Sequence, residues 1–298
     1  MTEAATKHRL TWRRATVGGR TACYGVAGSG APLVFLHGWG LGYRSYGASL
    51  TRLAAGGMRV YAPALPGFGG TADLRATDVS MGGYASWVSE FVRAAEVPTP
   101  FVLVGHSFGG GVAIQVTHDN EDLVSQLIVV NSIGGSAWTS SKGVVRTMVE
   151  RPIWDWGLHL QADLLPLRQA RRVLPVVTAD ALSNVLRSPR ALFRIGRLAA
   201  GANLVGELEE LKRRGVPVVI LWGTEDKVIP AACLESMRAA LGGVDVVTVA
   251  GNHSWLLADP RGFAEVITNV IGVVPGGVEQ DRPRRRRRAP ATDAQRTA

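Results

Sequence analysis

One stretch constrains this chain more than any other: Phe101-Val-Leu-Val-Gly-His-Ser-Phe-Gly-Gly-Gly111. Residues 101–104 form an apolar run that reads as a strand buried on both faces. Residues 112–118, free of Pro, read as a short helix. Between them stands Gly105-His106-Ser107-Phe108-Gly109. A sharp strand-to-helix turn at such a pattern holds the central serine in a strained conformation and lifts its hydroxyl above the sheet. The glycines two residues to either side are needed because the turn brings their backbones together. With 36 Gly among 298 residues, chance supplies roughly 0.2 such patterns, so the pattern alone is weak evidence. The flanking strand and helix give it weight, and so would partners for Ser107 at other strand ends.

The rest of the chain supplies an alternating frame. Residues 11–17 and 21–26 predict two strands turning at Gly18-Gly19. Buried strands are expected at 32–37, 59–65, 126–131, 216–222 and 245–249, and helices at about 43–55, 80–95, 231–241 and 260–271. Strands alternating with helices predict an α/β fold, a mostly parallel sheet covered by helices on both faces. The alternation lapses over 134–206, where helical spacing, several Pro and three Trp suggest an inserted helical lid. The core would then be 1–133 with 207–275. Residues 276–298 are rich in Gly, Pro and Arg and have little to bury, so they are expected to be a disordered basic tail.

Composition narrows the functional classes. The net charge of +9 is uneven: the tail carries +4, the lid segment +6, and the remainder is nearly neutral. The run 284–288 contains no aromatic residue to stack on bases, so no specific nucleic-acid partner is expected. The lid charge fits an anionic substrate or membrane surface, or simply an exposed basic face. No apolar stretch reaches the ~18 residues of a membrane span. Residues 1–10 lack an apolar leader core, and Cys23 and Cys233 stand far apart without metal spacing; reduced thiols and a cytoplasmic location are the expectation. No nucleotide-binding glycine motif and no metal-ligand cluster occurs, so neither cofactor nor metal is expected.

In such a sheet, chemistry gathers at the carboxyl ends of the strands. Three ends besides that of Ser107 carry reactive candidates: His37-Gly38-Trp39-Gly40, Gly223-Thr-Glu-Asp226 and Gly251-Asn-His253. Ser107, Asp226 and His253 run in the order serine, acid, histidine. Glu225 and Asp245 compete with Asp226 for the acid position. These motifs, together with Leu65-Pro-Gly-Phe-Gly69, resemble the α/β-hydrolase superfamily over roughly residues 16–275, and most of all its lidded serine esterase and C–C hydrolase branch.

The resemblance implies Ser107 as nucleophile, His253 as base and Asp226 as its orienting acid, with the N–H groups of Phe108 and Trp39 as oxyanion donors. It also implies a small-molecule ester with an apolar part as substrate. C–C bond hydrolysis and cofactor-free perhydrolysis use the same three residues, and a noncatalytic binding protein on the same fold is the alternative of another class. Relatives with an Asp nucleophile are disfavoured by the serine at 107. In those members whose acid follows the strand before the lid, the carboxylate stands where this chain has Asn131. His37 and His106 read as structural. Trp138, Trp154 and Trp156 either line an apolar pocket or fasten the lid to the core.

Overall fold

A computed structural model describes residues 8–136 and 170–271. Its centre is one eight-stranded sheet. β1 (Thr11–Val17) and β2 (Arg20–Ala27) form the hairpin expected at Gly18-Gly19, whose φ values are 54° and 74°. Two positive φ angles suit a two-residue hairpin turn, and only glycine adopts both at no steric cost. After them come β3 (Ala31–Leu36), β4 (Met58–Pro63), β5 (Phe101–His106), β6 (Val124–Val130), β7 (Val218–Gly223) and β8 (Val246–Val249). The spatial order is β1-β2-β4-β3-β5-β6-β7-β8. β1 pairs antiparallel with β2, and β2 antiparallel with β4; every other pairing is parallel.

The central strands read as unbroken apolar runs because each alternately feeds two cores. In β5, Phe101 and Leu103 join the cluster on one face while Val102 and Val104 join that on the other. In β7 the split is Val218, Ile220 and Trp222 against Val219 and Leu221. One face is covered by α2 (Met81–Ala94), α3 (Phe108–Asp119), α6 (Val205–Arg213) and α7 (Ala231–Ala240). The other is covered by α1 (Gly47–Ala55), the one-turn helix α8 (Trp255–Ala258) and α9 (Pro260–Val270). Ser80 caps α2 by accepting the Gly83 N–H at 3.0 Å, which satisfies one otherwise unpaired first-turn donor.

Between β6 and β7 the chain forms α4 (Ala170–Arg187) and α5 (Pro189–Ala200). Residues 137–169, which include Trp138, Trp154 and Trp156, lie outside the described residues, as does the basic tail. No helix among the described residues is long and apolar enough to cross a membrane.

Three departures from the sequence expectation have a clear physical reason. α3 begins at Phe108, not Val112, because the glycines that disfavour a helix are required for contact. A Cβ on Gly109 would stand 2.4 Å from the carbonyl oxygen of Leu36, and one on Gly110 2.6 Å from Cβ of Ser132. Helix α1 begins at Gly47; residues 43–46 precede it as a turn whose Tyr43 and Tyr46 are buried. Helix α6 was not expected at all. Its sequence is largely charged and only Leu208 and Leu211 are buried, so its apolar signal is two residues wide.

Candidate active site

The strand order steps from β4 through β3 to β5, so connections leave β3 and β5 on opposite sides of the sheet. A crevice opens at that point beyond the strand carboxyl ends. Ser107 occupies it as the residue between β5 and α3, with φ 54° and ψ −118°. A serine with positive φ is strained and persists only where its surroundings overdetermine it. Here the Ser107 N–H donates to the Val130 carbonyl at 3.0 Å, and the Ser107 carbonyl accepts from Gly110 N–H at 3.0 Å. Gly105 and Gly109 pack backbone against backbone: a Cβ on Gly105 would meet the Gly109 oxygen at 2.4 Å. Phe108 opens α3, so its N–H is among the four that have no partner inside a helix.

Asp226 lies three residues beyond β7 and His253 four beyond β8. Nδ1–H of His253 donates to Asp226 Oδ2 at 2.9 Å, and both side chains are almost wholly buried. The second carboxylate oxygen accepts the backbone N–H groups of Val228 at 2.8 Å and Ile229 at 3.0 Å. Oδ2 also accepts Nδ2–H of Asn131 at 2.6 Å. Burial alone would push the Asp226 carboxyl upward. The attraction of His253 and the hydrogen bonds from His253, Ile229 and Asn131 outweigh it and hold the group below the ordinary carboxylate range. With Nδ1 protonated toward the carboxylate, the Nε2 of a neutral His253 carries the lone pair. The competing carboxylates Glu225 and Asp245 make no such contact with His253.

Ser107 and His253 face one small cavity, lined also by Trp39, Phe108, Ile133, Ala199, Val228 and Ile229. Among the described lining residues, Ser107, His253 and the indole N–H of Trp39 are its polar side-chain groups. Trp39 stands in the loop after β3, whose Gly38 lies close to the serine: a Cβ on Gly38 would stand 3.3 Å from Cβ of Ser107. The strand-end candidates Ser107, His253, Trp39 and Phe108 thus share one cavity, with Asp226 directly behind the imidazole. No group of three or more His, Cys, Asp or Glu among the described residues is arranged to hold a metal ion.

Both other histidines near the site are wedged into the backbone. Nδ1–H of His37 donates to the Gly38 carbonyl and Nε2 accepts the Leu65 N–H, both at 2.9 Å. Burial pushes its pKa down to about 4. His106 accepts at Nδ1 from the Tyr46 hydroxyl at 2.8 Å and donates from Nε2 to the His253 carbonyl at 2.9 Å. Burial, reinforced by His253 beside it, pushes this imidazole down to about 3. The Tyr46 oxygen in turn accepts the Gly38 N–H at 3.1 Å. One relay therefore ties the loop after β3, the end of β5 and the histidine loop together.

Sequence reasoning missed Asn131 as a contributor. Its Oδ1 accepts from Gly223 N–H at 3.2 Å and Trp255 Nε1–H at 2.9 Å while its amide holds Asp226. Its position at the end of β6 was the available signal. Tyr46 carried none, since its role depends on a contact 60 residues away.

The family model described as the alpha/beta hydrolase family matches residues 33–266. An uncharacterized protein of Mycobacterium tuberculosis is 29% identical over 273 residues, covering 85% of this chain and 78% of that protein. A pimeloyl-(acyl-carrier protein) methyl ester esterase of Aromatoleum aromaticum is 28% identical over 262 residues, covering 80% of this chain and 97% of the enzyme. Among solved structures, the esterase RhEst1 from Rhodococcus sp. ECU1013 superposes with a TM-score of 0.69 at 24% identity, covering 88% of this chain and 99% of its own. Since the family model spans most of its length, from β3 to α9, the chain belongs to the alpha/beta hydrolase family.

Proposed function

We propose that this chain is a cofactor-independent serine hydrolase that cleaves carboxylic esters through an acyl-enzyme. The observation that carries the reading is the buried Asp226–His253 pair at 2.9 Å, set beside the cavity that Ser107 lines. A serine hydroxyl is a poor nucleophile and needs a base in place as it attacks. Nε2 of His253 takes the Oγ proton while the oxygen bonds to the ester carbonyl carbon. The carbonyl π electrons move to oxygen, and the N–H groups of Phe108 and Trp39 receive the resulting oxyanion. Each such donor is typically worth ~10²–10³ in rate. The imidazolium, stabilised by Asp226, then returns the proton to the departing alcohol. Water repeats the sequence on the acyl-enzyme, releasing the acid and restoring Ser107.

The apolar lining from Ile133, Ala199, Val228 and Ile229 favours an uncharged acyl portion beside the nucleophile. The relative that acts on a methyl ester, with 97% of its length covered, supports an ester over a C–C bond. In this reading the segment 134–206 is the lid. The test is labelling with a fluorophosphonate probe, in which the serine oxygen displaces fluoride from phosphorus. Wild-type protein should label and Ser107→Ala should not. Equal labelling of the two would remove Ser107 as the nucleophile.

A further inference from the structure

The loop 37–42 contains three glycines, Gly38, Gly40 and Gly42, and Gly40 has φ 79°. Such a backbone has little stiffness of its own. Yet the oxyanion role proposed for Trp39 demands that its N–H stay fixed to a fraction of an ångström. The stiffness must therefore come from neighbours, and the hydrogen bonds say which.

From the core, Gly38 N–H reaches the Tyr46 hydroxyl. The other ties come from the helices inserted between β6 and β7. Asp180 on α4 accepts the Gly42 N–H at 2.7 Å and the Ser45 hydroxyl at 2.8 Å. Asn184, one turn further on, donates to the Gly40 carbonyl at 3.2 Å and accepts the Gly69 N–H at 3.0 Å. Leu192 on α5 offers its carbonyl to Trp39 Nε1–H at 2.8 Å. Asp180 and Asn184 are both buried, although they sit on a helix with exposed Leu182, Val185 and Leu186. The spacing of four places both polar groups on one helix face, and that face is turned to the loop. Contact is close: a Cβ on Gly42 would stand 3.1 Å from both carboxylate oxygens of Asp180.

We infer that Asp180 and Asn184 are positioning residues for the oxyanion loop, so that seating of the inserted helices completes the catalytic geometry and does not merely cover the substrate. This rests on the serine-hydrolase reading. A residue that only anchors the insertion would affect folding or substrate affinity. A residue that fixes an oxyanion donor affects transition-state stabilisation, which appears in kcat with KM little changed.

The experiment compares Asp180→Ala and Asn184→Ala with wild type on p-nitrophenyl butyrate and with an alkyl trifluoromethyl ketone. Addition of the serine oxygen to that ketone gives a stable tetrahedral oxyanion, so its inhibition constant reports the oxyanion site directly. The expectation is a fall in kcat of roughly 10- to 100-fold, the scale of an ångström-sized misplacement, with KM within about threefold and ketone affinity falling in parallel with kcat. Retention of both kcat and ketone affinity within twofold, whatever happens to thermal stability, would overturn the inference. If Asp180→Ala does not fold, Asn184→Ala decides alone by the same two outcomes, because it removes the bond to the Gly40 carbonyl. Failure of the underlying reading is separately visible, because wild type and Ser107→Ala would then label alike.

Discussion

Mild acid should destabilise this protein through two buried histidines other than His253. His37 and His106 are wholly buried and locked as neutral rings, with pKa values near 4 and 3 against 6.5 for an exposed imidazole. For a base depressed in the folded state, the unfolded chain binds more protons below pH 6.5. The stabilisation is therefore complete above pH 6.5 and declines as pH falls, until about pH 4 for His37 and pH 3 for His106. At pH 5 each unfolded imidazole is almost fully protonated while its folded counterpart is not. At 1.36 kcal/mol per pH unit, the two together remove about 4 kcal/mol between pH 7 and pH 5. That is a large share of a typical stability of ~5–15 kcal/mol. Carboxylates held below their ordinary range, such as Asp226, add their own loss only at lower pH. Urea unfolding followed by circular dichroism at pH 7, 6 and 5 measures the slope. In His106→Gln, which cannot titrate, the loss over the same interval should shrink by about half, whatever the variant's stability at pH 7. A flat profile in wild type, or an undiminished slope in the variant, would refute the reasoning.

Two further predictions concern stability. Asn131→Ala removes the acceptor for Gly223 N–H and Trp255 Nε1–H inside the core and places alanine at φ 44°; with ~1–3 kcal/mol for each buried donor left unpaired, urea melts should show a loss of roughly 2–5 kcal/mol. A loss under 1 kcal/mol would mean that water or a shifted backbone replaces the amide. Gly109→Ala and Gly82→Ala should differ in sign: the first drives a Cβ to 2.4 Å from the Leu36 oxygen, whereas the second meets nothing within 4 Å on α2. Overpacking should cost the first ~1–3 kcal/mol or more, while the second gains up to ~1 kcal/mol of helix propensity; thermal melts of the pair decide.

What the sequence revealed follows from how far each signal reaches along the chain. Strands β3, β5, β6 and β7 were legible because burial on both faces makes most of their positions apolar. The bend at Ser107 was legible because steric exclusion writes glycine at fixed offsets. Asp226 and His253 could be nominated because strand ends are few and their order is constrained. The contacts that hold these groups still were not legible. Tyr46 meets His106 across 60 residues, and Asp180 meets Gly42 across 138. A lone tyrosine or aspartate in a helical segment carries no local mark of such a partner. Helix α6 escaped for the opposite reason, since its few buried residues leave a nearly solvated pattern.

This division has a physical basis. Of the groups proposed to do chemistry, Ser107 sits where backbone geometry is extreme, and extreme geometry restricts residue type locally. Groups that immobilise them need only a donor or acceptor at the right distance, which many residues supply from many places in the chain. Around Ser107 the second kind is abundant: Tyr46, His106, Asn131, Asp180 and Asn184 all bond to the loops that carry the first. Their neutral or fully bonded state matters as much as their presence, because a stray charge at His106 would lie beside His253, whose rings are 4.9 Å apart. Protonating His106 would take the Nδ1 lone pair from the Tyr46 hydroxyl, and the relay to Gly38 would lose a link. The pH that unfolds the protein and the pH that loosens its site are therefore set in part by the same buried imidazole.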